Sequence, residues 1–504
     1  VVDDLLAAQL IDQVTFTRQP EYVFHQPLIR SVAYETQLRS DRVELHRRVA
    51  NAIEHRSGGD DEKAALIAEH LEAAGELQAA FDWHMRAGAW SNNRDIAAAR
   101  ACWERARQVA DALPADHPGR PAMRIAPRTA ICATDWRIHA DDSQARFEEL
   151  RELCAPAGDQ TSLAVAIMGP LSVRVQRGEP QEALRLVSEM MDLLDSIGDP
   201  ALTAQAAFGA AGIKAQFGEL DEVLRLAQGI IDWADGDPTK GNLIVGSPLA
   251  AAFGLRGLAR SWFGRPGWRE DLDDGVALAE KSAEPLTLSV TMSWKYGTGV
   301  WNGVLRADDS AVRTTENALR TVELSGNDYA VAMVKWVLSS VLLWRDSARD
   351  RHRGLDLLAQ VHDTSIRQRF MGMELPLMDF FFGWAQARGG DRDGGIAVIR
   401  KSVDVMVARG QVGYFIPAIG VFVQTLLARS AEADLAEAEA AVAKLATAPA
   451  EGSVIRDVWL LRSRAMLARA HGDGAAYRDL KHRYRDTATA LGFEGHIDWA
   501  EGMP

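Results

Sequence analysis

Gly178-Glu179-Pro180-Gln181-Glu182-Ala183-Leu184-Arg185-Leu186 returns 40 residues later as Gly218-Glu219-Leu220-Asp221-Glu222-Val223-Leu224-Arg225-Leu226, identical at six of nine positions. Gly158-Asp159 and Gly198-Asp199 fall midway, so a turn signal recurs every 20 residues, at 158, 178, 198 and 218. A half-period of that length holds one helix and one turn, since about 15 helical residues rise roughly 22 Å. Two such helices, antiparallel, form one unit of an α-solenoid, in which each unit buries its apolar face on the next. Asp199-Pro200 and Asp237-Pro238 each pair an N-cap oxygen with a proline at the first helical position, which predicts two helix starts. Glu182/Arg185 and Glu222/Arg225 are three apart and read as ion pairs on a solvated helix face, not as an acid-base dyad.

Outward from this repeat, residues 60 to 500 carry many Ala and Leu at helical spacing and few alternating β-branched runs, so the fold class is all-α. Gly326-Asn327, Gly390-Asp391 and Gly472-Asp473 repeat the turn signal and extend the array almost to the C-terminus. Roughly ten helix pairs fit. Ala431 to Ala450, rich in Ala and Glu, reads as one solvent-facing helix ending near Pro449. Gly75, Ala80 and Ala87, then Ala99, Trp103 and Ala106, give the small and large residues at which paired helices approach. This spacing resembles the tetratricopeptide pattern, and a period of 40 instead of about 34 marks a longer, degenerate relative.

The first 57 residues differ. Leu5, Leu6, Leu10 and Ile11 predict a short amphipathic helix, Val14-Thr15-Phe16 a strand, Arg18-Gln19-Pro20-Glu21 a polar turn and Tyr22-Val23-Phe24 a returning strand. Helices follow from Pro27 to about Gln37 and from Asp41 to Glu54, an arrangement that suggests part of a winged helix. The expected domains are therefore a winged-helix remnant with one β-hairpin, 1–57, and a helical repeat region, 58–504.

The whole chain has 504 residues, 47% hydrophobic and 25% charged, as soluble globular proteins do. A formal charge of −14 repels a phosphate backbone and an acidic membrane surface, so neither nucleic acid nor membrane is an expected partner. No stretch approaches 18 uninterrupted apolar residues. Cys102, Cys132 and Cys154, an odd number without a CxxC pair, indicate neither a disulfide framework nor a zinc site and fit a reducing cytoplasm. The chain begins Val1-Val2-Asp3 with no initiator methionine, which raises the expectation that it was cut from a longer polypeptide.

Tyr22-Val23-Phe24-His25-Gln26-Pro27-Leu28-Ile29-Arg30-Ser31-Val32-Ala33-Tyr34-Glu35, followed by Ser40-Asp41-Arg42-Val43-Glu44-Leu45-His46-Arg47-Arg48, resembles the end of the nucleotide-binding module in STAND-type ATPases. The resemblance is to actinobacterial multidomain regulators in which a class III adenylyl cyclase domain and a STAND ATPase precede a tetratricopeptide-like region. Arg256-Gly257-Leu258-Ala259-Arg260, Gly264-Arg265-Pro266-Gly267-Trp268-Arg269 and Gly492-Phe493-Glu494-Gly495-His496-Ile497-Asp498-Trp499 look like segments of such tails. The resemblance implies cyclase and ATPase domains upstream as partners within one polypeptide, with ATP and a divalent metal as their cofactors and none in this chain. Related ATPases sense nucleotide phosphates through a Met-His-Asp motif before Leu-Leu-Arg. Aligning Leu28-Ile29-Arg30 with that motif puts Gln26 at the histidine and Pro27 at the aspartate. His25, Gln26 and Arg30 are the nucleotide-sensing candidates; the plainer reading of His25 is an imidazole packed at a strand-to-helix corner, and His46 also reads as structural.

A phosphate-cradling GxxxxGK(S/T) loop is absent, so the chain alone is not expected to hydrolyse ATP. Gly297, Gly299 and Gly303 are one residue too widely spaced for a dinucleotide fingerprint, and no HExxH, GxSxG or cysteine-histidine signature occurs. Asp391-Arg392-Asp393-Gly394 lacks the late glutamate of an EF-hand and reads as an interhelical turn. Aromatics do concentrate between 294 and 384. Trp294, Tyr296, Trp301, Trp336 and Trp344, with Arg306, Lys335 and Arg345 nearby, either pack in the core or line a groove for a peptide or small ligand. The expected function is a non-catalytic sensor region that binds a protein partner or small-molecule signal. The competing expectations are the sensor arm of an ATP-dependent transcriptional regulator, or a helical domain with its own small-molecule enzymology.

Overall fold

The computed structural model describes residues 1–15, 21–57, 61–92, 94–138, 141–241, 246–282 and 284–503. It is all-α, with a single two-stranded sheet among the described residues. Strands β1 (Ile11–Thr15) and β2 (Glu21–Phe24) pair antiparallel, Ile11 opposite Phe24 and Gln13 opposite Tyr22, with a bulge before Thr15. Phe16 and the predicted turn at 18–20 lie outside the described residues. The chain packs as two compact units, Val1–Cys132 with Glu148–Ser162, and Ala133–Phe147 with Leu163–Pro504. The boundary expected at residue 57 falls inside the first unit. There the helix Arg39–Ser57 places Ala50 and Ile53 against Ile67, Ala68 and Leu71 of the helix Ala64–Ala73.

In the first unit, helices Leu77–Ser91 and Ile96–Ala112 form the expected close pair. Ala80, Ala87, Ala99 and Ala106 are buried, and the Trp103 indole occupies the space a side chain at Gly88 would need.

In the second unit, the repeat of the sequence becomes a repeat of buried faces. Helix Pro180–Ile197 buries Ala183, Leu186, Val187, Met190 and Leu194; helix Leu220–Ala234 buries Val223, Leu226, Ala227, Ile230 and Ala234, the same positions 40 residues on. Gly158, Gly178, Gly198 and Gly218 all take positive φ, the conformation that ends a helix at no steric cost. Asp199 accepts from the Ala201 amide ahead of Pro200, and Asn327, Asp391 and Asp473 cap their helices likewise. The exposed pairs Arg185–Glu182 (3.1 Å) and Arg225–Glu222 (2.6 Å) form as read. Asp237-Pro238 departs from expectation: Asp237 accepts from the Thr239 amide and hydroxyl within a turn, and the next helix, Pro248–Trp262, starts from Ser247. The Ala/Glu-rich segment is the helix Asp434–Ala446, which buries Ala438, Val442 and Leu445 and so is amphipathic, not wholly solvent-facing.

What the local pattern does not contain is a return of the chain onto itself. The Gly372 amide donates to the Gln176 carbonyl at 2.6 Å, and the Glu494 and His496 amides donate to Val304 and Gly303 at 3.0 Å. Between these ends, Gly218 faces Val412 and Gly264 faces Val454. The partners in every case lie about 190 residues apart, close to five 40-residue repeats, so a second run of helices lies along the first. Gly178 and Gly372 sit where the runs come nearest. A methyl on Gly178 would come within 2.5 Å of the Gly372 carbonyl oxygen, and one on Gly372 within 2.6 Å of the Arg177 carbonyl carbon and the Gly178 nitrogen. Backbone cannot move aside as a side-chain tip can. Gly372→Ala is therefore expected to destabilise the second unit by about 3 kcal/mol, the scale of severe overpacking, while Gly198→Ala, open on all sides, costs about 1 kcal/mol. Denaturant unfolding of the two variants checks the difference.

Candidate functional site

The sequence-derived candidates separate into the two units. His25, just after β2, is half-exposed and hydrogen-bonds through Nδ1 with Asp12 Oδ2 on β1 at 2.8 Å, so it is a surface partner of Asp12 and not a packed imidazole. Gln26 occupies the N-cap of the helix Pro27–Glu35 without a side-chain cap bond, and Arg30 is exposed on that helix. His46 has a structural setting, between the Tyr34 hydroxyl (3.0 Å) and His70 Nδ1 (2.8 Å).

In the second unit the aromatic candidates divide between core and cavity wall. Trp301 and Trp336 are buried, both packed on Phe381 with ring centroids 5.0 and 5.5 Å away. Tyr296 is buried beside Lys295, whose ammonium reaches Asp273 at 2.6 Å. Lys335 lies at the surface on Gln360. Trp344 is different. It stacks on Trp499 (4.7 Å, 26°), touches Trp384 (4.7 Å), and lines a cavity of about 1280 Å³ together with Arg306 and Arg345. Those two arginines are occupied: Arg306 by Asp498 at 2.6 Å, Arg345 by Asp309 at 2.6 Å and Asp350 at 2.5 Å.

Sequence reasoning missed the group that dominates this cavity. Arg462, on the helix Val454–Ala470, lines both the large cavity and an adjoining one of about 580 Å³. It is 6% exposed. Its Nη2 donates to Gln424 Oε1 at 2.8 Å, whereas Nε and Nη1 have no hydrogen-bond partner. Among the described residues no carboxylate pairs with it. The guanidinium instead lies over the rings of Trp459 (5.3 Å) and Trp499 (5.2 Å), and burial lowers its pKa from the ordinary value. Burial also drives the neighbouring His496 well below its usual range, so its imidazole is neutral, bonded through Nδ1 to the Tyr484 hydroxyl at 2.8 Å. The indole N–H groups of Trp344 and Trp459 are buried and unbonded as well. No linear motif announces this set, because its members come from helices far apart in sequence.

A second, smaller cavity of about 220 Å³ lies among apolar residues of both helix runs. Trp294 reaches it from a turn of π-helix, Ser293–Thr298, a distortion that commonly re-aims side chains at binding sites. Gly297 of the glycine series falls in that turn. The cavity's one ionisable acid is Glu374, which accepts from the Tyr414 hydroxyl at 3.3 Å and is also hydrogen-bonded to Gln216. Burial pushes its carboxyl from 4.5 up to about 7, hydrogen bonds from its own backbone amide, Tyr414 and Gln216 opposing the rise only in part.

Among the described residues no three His, Cys, Asp or Glu side chains are placed to hold a metal ion. One described helix, Val412–Arg429, is long and apolar enough to cross a membrane, and 72% of it is buried inside the protein. No protein-family model matches this chain, and no curated protein sequence matches it.

Glu374 gives stability a definite pH dependence. Between pH 4.5 and about 7 the folded chain holds a proton here that the unfolded chain has released, so this group's contribution falls as pH rises through that window and levels off above it. Glu374→Gln cannot ionise. Its melting temperature relative to wild type is therefore expected to rise from pH 5 to pH 8, and parallel thermal melts at the two pH values check this.

Proposed function

We propose that this chain is a non-catalytic sensor region of a multidomain ATP-dependent signalling protein, coupled to an upstream STAND-type ATPase and class III adenylyl cyclase in the cytoplasm. The observation that carries the reading is the large cavity of the second unit, whose wall holds a buried guanidinium with no acidic partner. Burying an unpaired charge costs several kcal/mol, and a folded chain keeps such a group where something binds against it. Arg462 supplies the charge, Trp344 and Trp499 the flat apolar surface, and Leu427, Leu435 and Met466 the rest of the wall. A protein partner or small-molecule signal seats there.

The first unit supports the coupling. Tyr22, Val23, Phe24, Leu28, Val32 and Tyr34 are exposed, and the helix Pro27–Glu35 buries none of its residues. An apolar face of that kind marks an interaction surface. In this reading the remainder of a nucleotide-binding module covers it, as the resemblance of residues 22–48 to the end of such a module implies. Signal binding then acts by favouring one of two arrangements of the parent protein, and the size of the effect is set by the difference in ligand affinity between them.

Arg462→Met removes the unpaired charge while keeping an unbranched apolar stem. Without ligand it is expected to stabilise the chain by about 1 kcal/mol, as replacement of buried charge by apolar volume does. A loss of stability on denaturant unfolding would show that the tryptophan rings and Gln424 already satisfy the cation. The decisive test of the larger reading is the mass of the native polypeptide in its source cells, detected by an antibody to this region. A product far above 55.1 kDa is expected, and one at 55.1 kDa overturns the coupling to upstream domains.

A further inference from the structure

The smaller cavity has a charge arrangement unlike the large one. Its walls include Phe208, Trp262, Trp294 and Met333, and among the described residues no Lys, Arg, His or Asp lines it. Glu374 is alone there as an ionisable acid. A carboxylate can accept about four hydrogen bonds, and its own backbone amide, Tyr414 and Gln216 supply three. Basic residues on the surrounding elements are engaged elsewhere: Lys214 with Glu219, Arg369 with Asp141, and Arg409 with the Gly372 carbonyl. The other titratable groups in the wall, Tyr329 and Tyr414, are raised well above their ordinary value by burial and stay neutral.

We propose that this cavity binds a small protonated amine with an aromatic or compact apolar body, its ammonium group on the Glu374 carboxylate and its body against Phe208, Trp262 and Trp294. An ammonium is the complement of a lone carboxylate in the wall of an apolar site, and tyrosine and tryptophan rings add attraction through their faces. A volume of about 220 Å³ limits the ligand to a small amine and excludes a folded peptide segment. The chain's net charge of −14 favours approach of a cation. The site is separate from the Arg462 cavity, shares no lining residue with it, and its ligand is opposite in charge to that guanidinium's complement.

Geometry also supplies a control. Gly212 lies in the cavity wall on the helix Pro200–Gln216, and a Cβ added there meets nothing within 4 Å. Gly212→Leu therefore places a Cβ in open space at the cavity wall, extends apolar volume from it and is a better helix former.

The test is calorimetric titration of the whole chain with phenethylamine, 2-phenylethanol and 3-phenylpropionate at pH 8 and pH 6. Phenethylamine is expected to bind at pH 8 at least about tenfold tighter than the neutral alcohol, with no measurable binding of the carboxylate. Its affinity should weaken at pH 6, because Glu374 then carries a proton while the amine stays charged. Glu374→Gln should lose at least about tenfold and Gly212→Leu all binding, each with an unchanged circular dichroism spectrum and cooperative melt. Absence of saturable amine binding by the folded wild-type chain overturns the proposal. So does equal binding of amine and alcohol, or amine binding unaffected in a folded Glu374→Gln or Gly212→Leu variant. None of these outcomes bears on the native mass or on Arg462, so this inference and the sensor reading fail separately.

Discussion

The second unit is built on the close approach of distant backbones, tightest at the hydrogen bond from the Gly372 amide to the Gln176 carbonyl. Each helix pair of an α-solenoid is stabilised by its neighbours, and such an array can end anywhere. Here the array meets itself. The turn at 176–178 carries the segment 369–374, which has Phe370, Met371 and Met373 buried, and the same relation recurs until Gly303 and Val304 accept from His496 and Glu494. Arg369 and Met371 take positive φ without being glycine, strain that the surrounding packing must hold in place.

Both cavities follow from that return. Two helix runs laid side by side cannot match every ridge to a groove, and the mismatch is filled partly by large aromatics. Trp301, Trp336, Phe380 and Phe381 close one region completely. Trp344, Trp384 and Trp499 pack against that cluster from its edge and leave space beyond them. Core packing and cavity lining are thus two sides of one aromatic assembly, with edge-to-face and stacked pairs each contributing about 0.5–1.5 kcal/mol beyond their burial. The two cavities hold opposite polar groups. Arg462 is buried against tryptophan faces, and Glu374 lies among aromatic and aliphatic walls, so burial penalises the charged form of each.

Local chemistry was legible where it is repeated or where a backbone rule enforces it. The 40-residue displacement, the glycines at each turn, the cap at Asp199 and the turn signals at Asn327, Asp391 and Asp473, where each aspartate or asparagine also caps the next helix, follow from a positive φ or an orphan amide that demands a particular residue at a particular place. Asp237-Pro238 misled for the same reason. An aspartate oxygen two residues before an amide serves a turn as well as a helix start, and only the following residues decide. Trp344, Arg306 and Arg345 were found as a cluster, yet a window of sequence could not tell that Asp498 and Asp309 already occupy the arginines.

The sequence by itself therefore determined the helical class, the 40-residue period and most of the turns, all of which act over one or two turns of chain. Tertiary structure alone decided which runs lie together, that Trp301 and Trp336 are core while Trp344 lines a wall, and that Arg462 and Glu374 are each left, among the described residues, without an oppositely charged partner. Those outcomes depend on contacts between residues about 190 positions apart, where a change of one helix pair in the return would bring different side chains together.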